Sequence, residues 1–154
     1  MIMAVKTVKE SYIRPVASSR NIPHLSRLTW RVYSNATPEV LGGMNLKQVH
    51  MLAALRDQGE LPQTTLCDMM RTTQNTVVTW LNELETEGYV SRIRDPDDRR
   101  KHNVALTEKG ATALERAEGE LRRLEDEMLS GLNADERTQL RRLLTKALDA
   151  ATTT

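Results

Sequence analysis

At Gly88 the hydrophobic period of this chain switches from helical to strand spacing, and that switch limits the folds open to it. Upstream, Val77, Trp80, Leu81 and Leu84 recur every three or four positions, the mark of one buried helix side. Downstream the period is two. Tyr89-Val90-Ser91-Arg92-Ile93-Arg94 and His102-Asn103-Val104-Ala105-Leu106 read as short strands, joined by the strong turn signal Asp95-Pro96-Asp97-Asp98. A helix therefore runs directly into a β-hairpin. Aromatic residues make up only 3% of the chain and Phe is absent, so the core must be built from Leu, Val, Ala and Met, a composition that favours helices over a β-sandwich. The expected fold class is mainly α with a small β-hairpin.

Helical spacing fills the rest of the chain. Residues 1–20 carry no clean periodicity and read as an N-terminal arm. Ile22, Leu25, Leu28 and Val32 predict a helix from Asn21 to about Asn35, before Pro38 and Gly42-Gly43 break the chain. Asn45 can cap a second helix carrying Leu46, Val49, Leu52, Ala53 and Leu55, which Gly59 stops. Pro62 fits the first turn of a short third helix with Leu66, Met69 and Met70 as its apolar contacts, and Arg71-Thr72 reads as the turn after it. Thr73 can cap the fourth helix, for which Gly88 is the C-terminal stop.

Beyond the hairpin, Thr107 can cap a long helix in which Leu114, Ala117, Leu121, Leu124 and Met128 form a seam suited to a partner helix. Gly131 interrupts it. Asn133 and Glu136 have the spacing of a capping box, and Leu140, Leu143, Leu144, Ala147 and Leu148 give a last helix its apolar face.

Several function classes lose support at once. The single cysteine, Cys67, rules out an intramolecular disulfide, and the scattered His24, His50 and His102 lack metal-ligand spacing, so no metal and no cofactor is expected. No Gly-rich phosphate loop or nucleophile elbow is present, and an enzyme is not expected. No apolar run approaches the roughly 18 to 20 residues that span a bilayer, and no secretory h-region opens the chain, so a cytoplasmic location without membrane contact is expected.

A net charge of +1 is uninformative until the charges are placed. Arg92, Arg94, Arg99, Arg100 and Lys101 crowd into ten residues of the hairpin, the densest basic patch in the chain. If Val77 and Trp80 point inward, Thr73, Gln74, Asn75, Val78 and Thr79 point outward at the start of the fourth helix. Gln and Asn can bond adenine edges in two places, Thr can meet phosphate or a thymine methyl, and Arg suits both phosphates and a narrow minor groove. Two helices joined by a tight turn and followed by a basic hairpin form a winged helix-turn-helix, which lays its second helix in the major groove of DNA. Thr73, Gln74, Asn75, Thr76 and Thr79 are the expected DNA contacts of that helix, with Arg94, Arg99, Arg100 and Lys101 those of the wing. Asp97 or Asp98 is expected to pair with a neighbouring Arg and order the wing tip.

The run LPQTTLCDMMRTTQNTVVTWLNELETEGYVSRIRDPDDRRKHNVALTEKG, residues 61–110, resembles the winged helix-turn-helix of MarR-family regulators. Its most specific parts are Asp98-Arg99-Arg100 in the wing and Leu106-Thr107-Glu108-Lys109-Gly110 at the start of the long helix. The resemblance extends over roughly residues 22–150. It implies a homodimer with intertwined N- and C-terminal helices, recognition helices in successive major grooves of a pseudo-palindromic operator, and wings in the flanking minor grooves. The expected organisation is an arm and dimerisation helix over 1–35, a winged helix-turn-helix over 36–110, and dimerisation helices over 111–154.

Family members are often repressors released by phenolic or other small aromatic acids, so a ligand-responsive repressor is the expected function. Trp30, Tyr33 and His50 stand where the family places its ligand pocket. A constitutive regulator, or a redox-responsive one using Cys67, is the alternative. Cys67 falls where such modules pack a small buried residue, which favours packing over redox chemistry. Three positions depart from the family pattern: Thr79 where many relatives have a basic residue, Arg71 where the turn commonly has Gly, and Pro62 where Thr often caps the third helix.

Overall fold

The computed structural model describes residues 21–94 and 102–152. The N-terminal arm and the wing tip, with Asp97, Asp98, Arg99, Arg100 and Lys101, lie outside them. The chain divides after Asn35 into two units. The first contributes one described helix, α1 (Ile22–Asn35).

The second unit runs from Ala36 and contains α2 (Leu46–Gln58), β1 (Leu61–Pro62), α3 (Gln63–Met70), α4 (Gln74–Thr86), β2 (Val90–Arg94), β3 (His102–Leu106), α5 (Glu108–Met128) and α6 (Ala134–Thr152). Local chemistry sets its helix starts. Asn45 caps α2 by accepting from the Gln48 N–H, while the Gln48 side chain accepts from the Asn45 N–H, a complete capping box. Thr107 caps α5 by accepting from the Gly110 N–H at 3.0 Å, and its hydroxyl faces the carbonyls of Gly88 and Tyr89. Asn133 and Glu136 close a second capping box at the start of α6.

The core lies between α2, α3, α4, the sheet and the first half of α5. Val49, Met51, Leu52, Leu55, Leu66, Val77, Leu81, Leu84, Val90, Val104 and Leu114 are all buried. Gly110 shows how closely α5 approaches the strand region, because a Cβ at that position would stand 2.0 Å from the Tyr89 carbonyl oxygen. Only glycine fits there.

Several readings of the sequence need correction. Pro62 does not open α3. It precedes the helix and belongs with Leu61 to a short strand that pairs antiparallel with β3, giving a three-stranded sheet in the order β1-β3-β2. Two residues are too few to show a period of two, and a proline at a sheet edge removes no needed donor. Met69 is exposed rather than packed, and Cys67 and Trp80 are only half-buried, because α3 and α4 present narrow apolar stripes to the core. The long-helix seam is also divided: Leu114 and Ala117 are buried within this chain, where α5 lies along α2, whereas Leu121, Leu124 and Met128 are half-buried. Arg56 on α2 and Glu118 on α5 tie the two helices with an ion pair of 2.6 Å.

Candidate nucleic-acid interface

The turn between α3 and α4 is made by Arg71, which takes the left-handed conformation (φ 47°) and ends α3 with its N–H directed at the carbonyls of Asp68 and Cys67. A residue with a Cβ is disfavoured there by about 1 kcal/mol, so the turn is held by its surroundings rather than by the local preference of Arg71. Thr73 then caps α4, its hydroxyl accepting from the Thr76 N–H.

Burial of Val77, Leu81 and Leu84 fixes the rotation of α4 about its axis. Thr73, Gln74, Asn75 and Thr79 are exposed on it, and Thr76 is half-buried. These five residues are not equivalent. The Thr73 and Thr76 hydroxyls lie 2.9 Å apart, and the Thr79 hydroxyl donates to the Asn75 carbonyl at 3.0 Å. The side-chain amides of Gln74 and Asn75 have no hydrogen-bond partner among the described residues. They are the groups of this turn best free to read a base edge. Val78, expected to point outward, is half-buried.

Exposure rises along one face of the wing strand β2. Val90 is buried, Arg92 is half-buried and Arg94 is exposed, opposite His102 of β3. Sequence patterning counts Arg92 simply as one more wing cation. Its guanidinium turns instead onto α4, where Nη2 donates to Asn82 Oδ1 at 2.7 Å and lies 3.4 Å from the Val78 carbonyl oxygen, while Nη1 stands 3.2 Å from Glu85 Oε2. The only local signal for this was the four-and-three spacing of 78, 82 and 85, which places them on one stripe of a helix.

Of the residues expected to line a ligand pocket, Trp30 and Tyr33 stand on α1 with 71% and 50% of their surface exposed. Together with Leu25, Ser26 and Thr29 they form an open, largely apolar surface. His50 stands on α2. Crowding by protein atoms and, secondarily, the charge of Lys47 one turn earlier hold its imidazole below the ordinary histidine pKa, so the ring is neutral at pH 7. The Cys67 thiol is pushed up by desolvation and then by Asp68, which keeps it protonated and a poor nucleophile. Among the described residues no three His, Cys, Asp or Glu converge as a metal site, and no helix is long and apolar enough to cross a membrane.

A three-stranded winged sheet beside an exposed, polar-tipped second helix defines a winged helix-turn-helix protein. The chain matches the profile of the MarR family over residues 44–102. It is 35% identical over 99 residues to the HTH-type transcriptional repressor NicR of Pseudomonas putida, an alignment covering 64% of this chain and 63% of NicR. The chain spans less than two thirds of the length of the curated relatives it matches. Its fold superposes on a mutant of Escherichia coli MarR complexed with operator DNA, with a TM-score of 0.66, 27% identity, and 82% of this chain and 95% of that one covered. A structure of Bordetella bronchiseptica BpsR, whose DNA binding is regulated by 6-hydroxynicotinic acid, superposes with a TM-score of 0.67, 26% identity, and 83% and 98% coverage.

Proposed function

We propose that this protein is a sequence-specific DNA-binding transcriptional regulator acting as a homodimer in the cytoplasm, and a repressor that a small aromatic acid releases from a pseudo-palindromic operator. The observation that carries the DNA-binding reading is the first turn of α4. Its inward residues are locked in the core, while the Gln74 and Asn75 amides are exposed and uncommitted among the described residues. Each subunit then presents Thr73, Gln74, Asn75, Thr76 and Thr79 to a half-site, with Arg94, Arg99, Arg100 and Lys101 anchoring the wing and Asp97 or Asp98 ordering its tip. Two-fold symmetry sets the half-sites about one helical turn, roughly 34 Å, apart.

Release by an acid is supported by the likeness to BpsR and by the exposed aromatic surface of α1. Trp30 and Tyr33 are the residues proposed to meet the ligand's ring. An acid that binds better to dimers with mis-spaced recognition helices lowers DNA affinity by its differential affinity for the two states, typically about 1 to 3 kcal/mol.

The test is a titration of the purified protein against the intergenic DNA beside its own gene, at two salt concentrations, with and without salicylate or 6-hydroxynicotinate. Selective, salt-sensitive binding that either acid weakens is the expected result. Selective binding indifferent to both acids supports a constitutive regulator instead, and absence of selective binding removes the regulator reading.

A further inference from the structure

We propose that Arg92 is a positioning residue for DNA recognition: it locks wing strand β2 to the wing-facing stripe of α4, so that the two DNA-contacting elements hold one fixed angle. The proposal deepens the DNA-binding reading above and rests on it.

Three acceptors on one helix stripe meet a single guanidinium. Val78, Asn82 and Glu85 follow one another at spacings of four and three, and Arg92 addresses a backbone carbonyl, an amide oxygen and a carboxylate across them. The side chain is 21% exposed, and its Nε is buried without a hydrogen-bond partner among the described residues. A cation turned inward in this way, with Glu85 beside it, is poorly placed to neutralise a phosphate. Arg94, two residues further along the same strand face, is exposed and has no such partners among the described residues. Arg92 and Arg94 therefore divide two tasks within one strand.

The planar fork is what the task requires. Only a guanidinium offers donors in several fixed directions at once, whereas a lysine ammonium would keep the charge and lose the span. Without the strut, the apolar contacts of Val77, Leu81 and Leu84 still hold α4 in the core, but the wing side of the helix loses its polar attachment. The expected consequence is a wider range of wing-to-helix angles. Reading a particular operator requires both elements in register, and non-specific attraction to phosphate does not.

The experiment compares wild type, Arg92→Lys, Arg92→Met, Glu85→Gln and the Arg92→Met/Glu85→Gln double variant. Each is titrated over a range of salt against the intergenic duplex that wild type selects and against a scrambled duplex, and amide hydrogen exchange in α4 is followed in the free proteins. Arg92→Lys and Arg92→Met should each lose about tenfold in operator affinity with scrambled-duplex binding and the salt slope unchanged. Glu85→Gln should lose less and add nothing in the double variant, and amides near Asn82–Thr86 should exchange faster in every Arg92 variant. The Lys and Gln variants carry the test should Arg92→Met fail to fold. Wild-type behaviour of Arg92→Lys, with a salt slope lowered by about one in Arg92→Met and effects additive with Glu85→Gln, would instead make Arg92 a phosphate contact and overturn the proposal. Absence of operator selectivity in wild type itself overturns the regulator reading and this inference together, and the wild-type titration alone tells that case from the former.

Discussion

Helices α4 and α6 are written in the same pattern, apolar residues every three or four positions on an otherwise polar helix, yet their apolar faces meet different fates. In α4, Val77, Leu81 and Leu84 are buried, and the helix packs against α3 and β2. In α6, Leu143 and Leu148 remain 51% and 69% exposed, and Arg137 ties the helix to the end of α5 by reaching Asp126 and the Leu132 carbonyl. An amphipathic stripe states that a helix will bury one side. It does not state whether the covering surface belongs to the same chain. For α4 it does, and for α6 the proposed homodimer supplies it.

The largest effect is expected at the buried end of this contrast. Leu81→Ala should destabilise the folded chain by about 2 to 5 kcal/mol, read as a lower denaturant midpoint. A loss below about 1 kcal/mol would mean that α4 is not anchored by its apolar face. At the open end, Leu143→Glu with Leu148→Glu should leave the secondary structure intact and shift the sedimenting mass towards that of one chain at micromolar concentration. If the mass does not change, α6 does not form the proposed dimer interface.

The junction between the two regions gives a smaller effect. Thr107→Ala removes the cap of α5 and the hydroxyl facing the Gly88 and Tyr89 carbonyls, and should cost about 1 to 2 kcal/mol in chemical unfolding. Because the hairpin and α5 meet there, operator binding should weaken with it.

The smallest effect is one of pH. The folded state holds the His50 pKa below its ordinary value of 6.5. The unfolded chain therefore takes up the proton first as pH falls, and stability drops between 6.5 and the lower folded value. Above 6.5 the residue contributes nothing to the pH dependence. His50→Gln should flatten that acid limb in a series of unfolding curves, and an unchanged limb would show that another group is responsible.

Much of the fold was legible because its signals are local. Asn45 and Thr107 lie within four residues of the N–H groups they cap, Asn133 and Glu136 are three apart, and the change of period at Gly88 needs only a window of a dozen residues. Gln74 and Asn75 were legible in the same way, from their phase against Val77. The strand at Leu61–Pro62 was not, since its partner lies more than forty residues away. The inward turn of Arg92 was equally hidden, because a run of basic residues looks the same whether each cation faces solvent or a helix.

By itself the sequence determined the helices, their caps, the hairpin and the chemistry offered at the start of α4, all of which depend on hydrogen bonds and side-chain phase over a few residues. Only the tertiary structure decided which apolar faces this chain covers for itself, that Leu114 and Ala117 of the long seam pack within one subunit, and that Arg92 belongs to the scaffold. Those outcomes depend on contacts between residues far apart in the chain, whose geometry is set by the packing of whole elements.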